Sequence, residues 1–278
     1  MELSGSFLAC AQAVRAADYD RYLSVLFAPR EKRDALFALY AFNFEVSKTA
    51  EAVSAPTLGL IRLQWWREAI EGIYEGRPRK HEVIAALGAT IAAHELPRAL
   101  FDALIDAREQ DLAQTPFATM DELEFYADAT SGHLMRLAAR ILDAGVTLDG
   151  AAREYGISYA LTGLLRAFPF HAAKGRLMLP LDRVVASGTT PEEIFAGHTH
   201  NIRILTDGIA AAALAHFSAA SPPRVPRAHL AALLPAALIR PYLKHMQREG
   251  FDPYRDPAEL SIPRRQIAML GAILRGRI

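Results

Sequence analysis

Apolar residues recur at helical spacing along almost the whole chain, which leaves little room for any fold but an all-α one. In residues 32–53, Leu36, Leu39, Tyr40, Val46, Ala50 and Val53 fall close to a 3.6-residue period. Residues 58–74 repeat the pattern through Leu60, Leu63, Ile70 and Ile73, and Gly76-Arg77-Pro78 closes that segment. The same reading predicts helices over 83–93, 97–112, 121–144, 151–168, 191–195 and 201–217. Thr190-Pro191-Glu192-Glu193 reads as a helix start, with a hydroxyl cap, a proline in the first turn and acids near the positive end. Almost no segment alternates as a strand would, and no internal repeat is visible. The prediction is one all-α domain over 1–278, a meander of antiparallel helices. Residues 221–278 are read as a C-terminal helical extension that opens with the linker Ser221-Pro222-Pro223-Arg224-Val225-Pro226.

Composition narrows the class of partner. The 278 residues are 51% hydrophobic, which supports a sizeable core. The 31 basic and 31 acidic residues cancel, so no global field draws the chain to nucleic acid. Cys10 is the single cysteine, which forbids an internal disulfide. No run of 18 apolar residues occurs, so no membrane span is expected. The first 20 residues lack a basic stretch followed by a long apolar core, as a secretory signal would have. The expected location is cytoplasmic, with at most peripheral contact at the inner membrane.

Residues 155–180 read YGISYALTGLLRAFPFHAAKGRLMLP. Leu161-Thr162, Leu164-Leu165-Arg166, Gly175-Arg176 and Leu179-Pro180 resemble, in register, a run of the squalene/phytoene synthase family. That family carries two aspartates four residues apart in this run. Such a pair sits on one helix face and holds Mg²⁺, a hard cation that takes oxygen ligands and bridges substrate phosphates. Here the two positions hold Ala167 and His171. Alanine ligates nothing, and imidazole suits softer metals than Mg²⁺. Pro169 lies between them, so the helix is predicted to end or kink near Phe168.

The family's other acidic helix resembles residues 41–51. Its two adjacent aspartates correspond to Ser47 and Lys48, its arginine to Phe44, and only the last acid remains, as Glu51. Lys48 places a positive charge where a metal would bind. Gln64-Trp65-Trp66-Arg67, Tyr74-Glu75-Gly76 and Asp111-Leu112 keep the family frame, and Thr130-Ser131-Gly132-His133-Leu134 stands at its small-residue turn. The resemblance is strongest over 21–220. A branch with the frame kept and the aspartates lost is the mitochondrial complex I assembly factor 6 group with its bacterial relatives. Leu165-Arg166-Ala167-Phe168-Pro169-Phe170-His171 resembles that branch.

The resemblance implies an isoprenoid-synthase-like fold around a central cavity, with no catalytic residue and no metal. It implies a non-catalytic role in assembling respiratory complex I, with a subunit or assembly intermediate as partner. A second reading is a head-to-head prenyl transferase acting on prenyl diphosphates with Mg²⁺, for which Glu51 and Asp111 are the acids on offer. A third is a binding module for a prenyl lipid.

The candidate residual cavity comprises Asn43, Ser47, Glu51, Asp111, Arg166, His171, Lys174 and Arg176. Asn43, Ser47 and Glu51 are spaced to share one helix face, either as a remnant of a substrate cavity or as a solvated stripe. Arg166, Lys174 and Arg176 form a basic group suited to a diphosphate or an acidic partner, or to compensating a helix C-terminus. His133 is expected to fill cavity space. One of Trp65 and Trp66 belongs to the core and the other to a contact surface. His198 and His200 have metal-ligand spacing but no third ligand nearby, so a solvated loop is expected. Residues 261–278 contain four arginines and no acid, and fit a last helix docked on the domain or one facing a membrane or partner.

Overall fold

The structure, a computed structural model, describes residues 3–113, 115–197, 202–220, 222 and 224–278. His198, His200, Asn201, Ser221 and Pro223 lie outside the described residues. The first helices, α1 (Leu3–Ala17) and α2 (Tyr19–Leu26), are separated at Asp18. The Asp18 carboxylate caps α2 by accepting the Arg21 backbone N–H at 3.0 Å. Next, α3 (Arg33–Ser47) runs through the middle of the protein, with Leu36, Leu39, Phe42 and Val46 fully buried. The predicted 32–53 helix is interrupted at Lys48, whose ψ of −1° ends α3 before the short α4 (Thr49–Ala52). Its ammonium turns back to Glu45 in the last turn of α3. Asn43, Ser47 and Glu51 therefore do not share one continuous helix face.

Around α3 pack α5 (Pro56–Tyr74), α6 (Glu82–His94) and α7 (Arg98–Ala107). Phe42 meets Trp66 at 5.6 Å and Phe101 at 5.4 Å between ring centroids, both edge to face. Trp66 is the core tryptophan. Trp65 is half-buried against His81 and under the Arg79 guanidinium. The predicted 97–112 helix ends instead in a 3₁₀ turn over Arg108–Asp111.

The predicted 121–144 helix is two, α8 (Met120–Ala127) and α9 (His133–Ile141), joined by a π turn over Asp128–Gly132. This turn lets the next helix come close. A Cβ on Gly156 would lie 2.5 Å from the Gly132 Cα and 2.6 Å from the Ser131 carbonyl oxygen. Only glycine fits both helices at that distance.

That next helix, α10 (Gly145–Ala173), is the longest of the fold at 29 residues. It passes through Pro169 without ending, so of the expected end or kink near Phe168 the end is overturned. The helix loses one N–H bond at Pro169, at a cost of about 3 kcal/mol. Leu165, Phe168 and Ala172 are buried on both sides of it, and Phe168 stacks edge to face on Tyr254 at 5.3 Å. Burying Leu165 and Phe168 contributes about 1.5–3 kcal/mol each, enough to carry the helix through.

The chain continues through α11 (Leu181–Ala186), α12 (Pro191–Phe195) and α13 (Ile202–Ala219). Thr190 and Glu193 form the reciprocal capping box at the start of α12. By length and apolar content α13 would reach across a bilayer core. In this fold it lies along α10, and the Ser158 hydroxyl donates to the Ala213 carbonyl at 2.6 Å. The last helices are α14 (Arg227–Leu230), α15 (Ile239–Met246) and α16 (Ile262–Arg275). They pack back onto the start of the chain, where Leu23 of α2 joins Leu238, Tyr242, Leu260 and Met269 in a small core of its own. Among the described residues every regular element is helical.

Candidate functional site

Two clefts open along α10. The first, of about 430 Å³, lies between Val53–Pro56, the 3₁₀ turn carrying Asp111, and the loop from Lys174 to Met178. The second, of about 600 Å³, is lined by Asp18, Asp20, Arg21, Tyr159, Arg166 and Ala167, and closed by Glu259 and Arg265.

In the first cleft Asp111 is fully engaged. Its Oδ1 accepts the Tyr126 hydroxyl at 2.6 Å, and its Oδ2 accepts Arg108 Nη1 at 3.1 Å. Arg108 also donates to the Tyr126 oxygen at 2.9 Å. Burial holds the Tyr126 phenol protonated far up the pH scale, although Arg108 pulls the other way. Burial also acts to lower the Arg108 pKa, but Tyr126 and Asp111 outweigh it and leave it raised. Arg176 Nη2 donates to the Ala50 carbonyl at 3.0 Å, which joins the end of α10 to α4. Lys174 lies over the Phe170 ring at 4.2 Å.

His171 senses Asp111, Arg176, Glu51 and Lys174. Burial lowers its pKa; Asp111 and Glu51 oppose that shift, while Arg176 and Lys174 add to it. The neutral imidazole is the favoured form, and its Nδ1 is buried without a protein partner. Glu51 is exposed, whereas Asn43 is buried in the core with Oδ1 unpartnered. The Ser47 hydroxyl donates to the Phe44 carbonyl at 3.0 Å. Thus Asp111, Lys174 and Arg176 line this cleft, His171 lies within electrostatic reach of all three and of Glu51, and Asn43 belongs to the helix packing.

Arg166 does not join the basic group expected for it. It belongs to the second cleft, where Nη1 lies 3.4 Å from Asp20, and it also pairs with Glu259. Its guanidinium stacks 3.9 Å above the Tyr242 ring. Asp20, only 3% exposed, further accepts the Tyr242 hydroxyl at 3.0 Å and Arg265 Nη1 at 3.0 Å. Beside it, Arg21 pairs with Asp18 at 2.5 Å and faces the rings of Tyr159 and Tyr40 at 5.0 and 5.7 Å. Burial pushes the Tyr40 phenol up to about 12. Sequence reasoning missed this network. Its members stand as far as 245 residues apart, so no local spacing reveals them.

The donor set does not fit Mg²⁺. Ala167 lies on the wall of the second cleft with no donor atom, and His171 offers a neutral nitrogen beside two cations. The acids lining the clefts already face cations or phenols: Asp111 pairs with Arg108 and Tyr126, Asp18 with Arg21, Asp20 with Arg166, Arg265 and Tyr242, and Glu259 with Arg166. Among the described residues no three His, Cys, Asp or Glu side chains are placed to share a metal ion. The arrangement does suit anionic or hydrogen-bonding groups at the cleft mouths, where Lys174 has no carboxylate partner among the described residues.

Known proteins match this frame closely. A dehydrosqualene synthase crystal structure superposes with a TM-score of 0.85 at 16% identity, covering 98% of this chain and 96% of that one. A squalene synthase from Alicyclobacillus acidocaldarius superposes with a TM-score of 0.79 at 22% identity, covering 90% of this chain and 96% of that one. These likenesses establish the isoprenoid-synthase fold. In sequence, the mouse protein named NADH dehydrogenase (ubiquinone) complex I, assembly factor 6 is 33% identical over 254 residues, 90% of this chain and 76% of its own. The family described as squalene/phytoene synthase matches residues 14–266. The chain belongs to the squalene/phytoene synthase family.

Proposed function

We propose that the chain acts in the assembly of respiratory complex I, as a squalene/phytoene synthase fold that does not ionise prenyl diphosphates. One observation carries the reading. A relative that is 33% identical over 90% of this chain bears the name of a complex I assembly factor. The donor chemistry agrees with it, because four of the five family acid positions hold Ser47, Lys48, Ala167 and His171, and only the fifth keeps a carboxylate, Glu51. Mg²⁺-dependent loss of diphosphate needs carboxylates there. In this reading the protein works without a resident metal, and its client is a complex I subunit or assembly intermediate, met in the cytoplasm or at the inner membrane.

Deleting the gene tests the proposal. Assembled complex I and NADH:quinone oxidoreductase activity should fall, with squalene- and phytoene-derived lipids unchanged. Normal complex I with those isoprenoids missing would move the function to prenyl transfer.

A further inference from the structure

The neutral chain is strongly polarised. Residues 208–278 hold ten lysines and arginines against four carboxylates, a net +6, which leaves −6 on the rest. Three of those ten are neutralised locally: Arg248 by Asp256, Arg255 by Asp252, and Arg265 by Asp20. Arg224, Arg227, Arg240, Lys244, Arg264, Arg275 and Arg277 have no carboxylate partner among the described residues.

The free cations gather around α16. Arg240, Arg275 and Arg277 line one hollow of about 740 Å³ beside that helix, together with Ile267. Arg224 and Arg227 line a second of about 300 Å³ with Leu274. Between them α16 buries Met269 and Ala272 on α2 and α15, and turns Ile267, Leu270 and Leu274 outward at 70%, 47% and 64% exposure. These three lie at i, i+3 and i+7, so they form one stripe. Arg264 is exposed at the opposite end of the helix.

We infer that α16 and its arginine rim form a docking face for an anionic phospholipid bilayer. Three properties select this occupant. The free charge of the rim is of one sign, which complements a surface that is anionic throughout. The centre is aliphatic, as needed for shallow insertion among acyl chains. The outward stripe contains no aromatic ring on which a nucleic-acid base would stack. The hollows of this face share no lining residue with the first cleft, and vesicle binding requires no client, so the inference stands apart from the assembly reading.

The full chain should be floated with vesicles of phosphatidylcholine alone, and with vesicles of equal parts phosphatidylcholine and phosphatidylglycerol. Binding is expected only to the anionic vesicles and should weaken with added salt. Arg264→Gln, Arg275→Gln and Arg277→Gln should each weaken it about fivefold. Ile267→Ser with Leu270→Ser should also weaken it while leaving the thermal unfolding midpoint unchanged, since both side chains are exposed. Failure of the native chain to bind anionic vesicles would overturn the inference. Unchanged vesicle binding by the arginine variants would do so too. If those variants bind vesicles normally but lose an acidic protein partner, the face serves protein docking instead.

Discussion

Asp20 and Arg265 stand 245 residues apart in the chain and 3.0 Å apart in the fold. Asp20 sits in α2 and Arg265 in α16, and Arg166 of α10 reaches the same carboxylate. A buried carboxylate held by two guanidinium groups and a phenol is stable only while its partners remain, because an unpaired buried charge is costly. Arg265→Ala should therefore destabilise the protein by about 3 kcal/mol, read as a lower denaturation midpoint at constant slope. Adding Asp20→Asn should recover part of that loss. Strict additivity of the two changes in a double-mutant cycle would show that the pair is uncoupled.

Turnover should be absent. Incubation with farnesyl or geranylgeranyl diphosphate and Mg²⁺ should give no coupled product by mass spectrometry. Ala167→Asp with His171→Asp should not restore it, because Lys48 still stands at the other acid motif, paired with Glu45. Squalene, phytoene or a cyclopropyl diphosphate formed at ordinary enzyme rates would contradict this.

Acid should weaken the fold partly through histidine. Burial lowers the pKa values of His94, His133 and His171 below the 6.5 of a free imidazole. Above 6.5 both folded and unfolded states carry these rings neutral, and the stability they allow is fully present. As pH falls through 6.5 the unfolded chain takes up protons that the folded chain resists, so stability declines toward the lower folded values. His171→Gln should flatten the dependence between pH 7 and 5. An NMR titration placing His171 at or above 6.5 would refute the assignment.

The contact between α10 and the π turn should tolerate no side chain. Gly156→Ala places a methyl 2.5 Å from the Gly132 Cα, where backbone must move. A loss of about 3 kcal/mol or more is expected. Gly163→Ala, with open space around its Cβ position, serves as the control on the same helix and should be neutral or mildly stabilising. Equal effects at both positions would show that the close approach is not what limits residue 156.

Helix content was legible in the sequence because periodicity is a local property. The stretches around Leu36–Val46 and Leu60–Ile73 needed only their own neighbours to be read. The degraded motif was legible for the same reason, since Gly175-Arg176 and Leu179-Pro180 kept their spacing around Ala167 and His171. Three features escaped. The continuation of α10 through Pro169 depends on burial of Phe168 against Tyr254, which no local rule supplies. The interruption at Lys48 depends on a single backbone angle. Arg166 looked like a neighbour of Arg176, yet it belongs with Asp20 and Glu259, because partners brought together from distant segments leave no trace in spacing.

The route by which Asp20 finds its partners also sets an order of events at the ribosome. Asp20 is made within the first helices, while Tyr242, Glu259 and Arg265 are made near the end. Until Arg166 is made α2 carries a carboxylate with no guanidinium partner, and until Arg265 is made one of its two guanidinium partners is missing. Arrival of α16 supplies the last counter-charge and closes the second cleft. A chain stopped before Arg265 would lack a guanidinium that both lines the second cleft and pairs with Asp20.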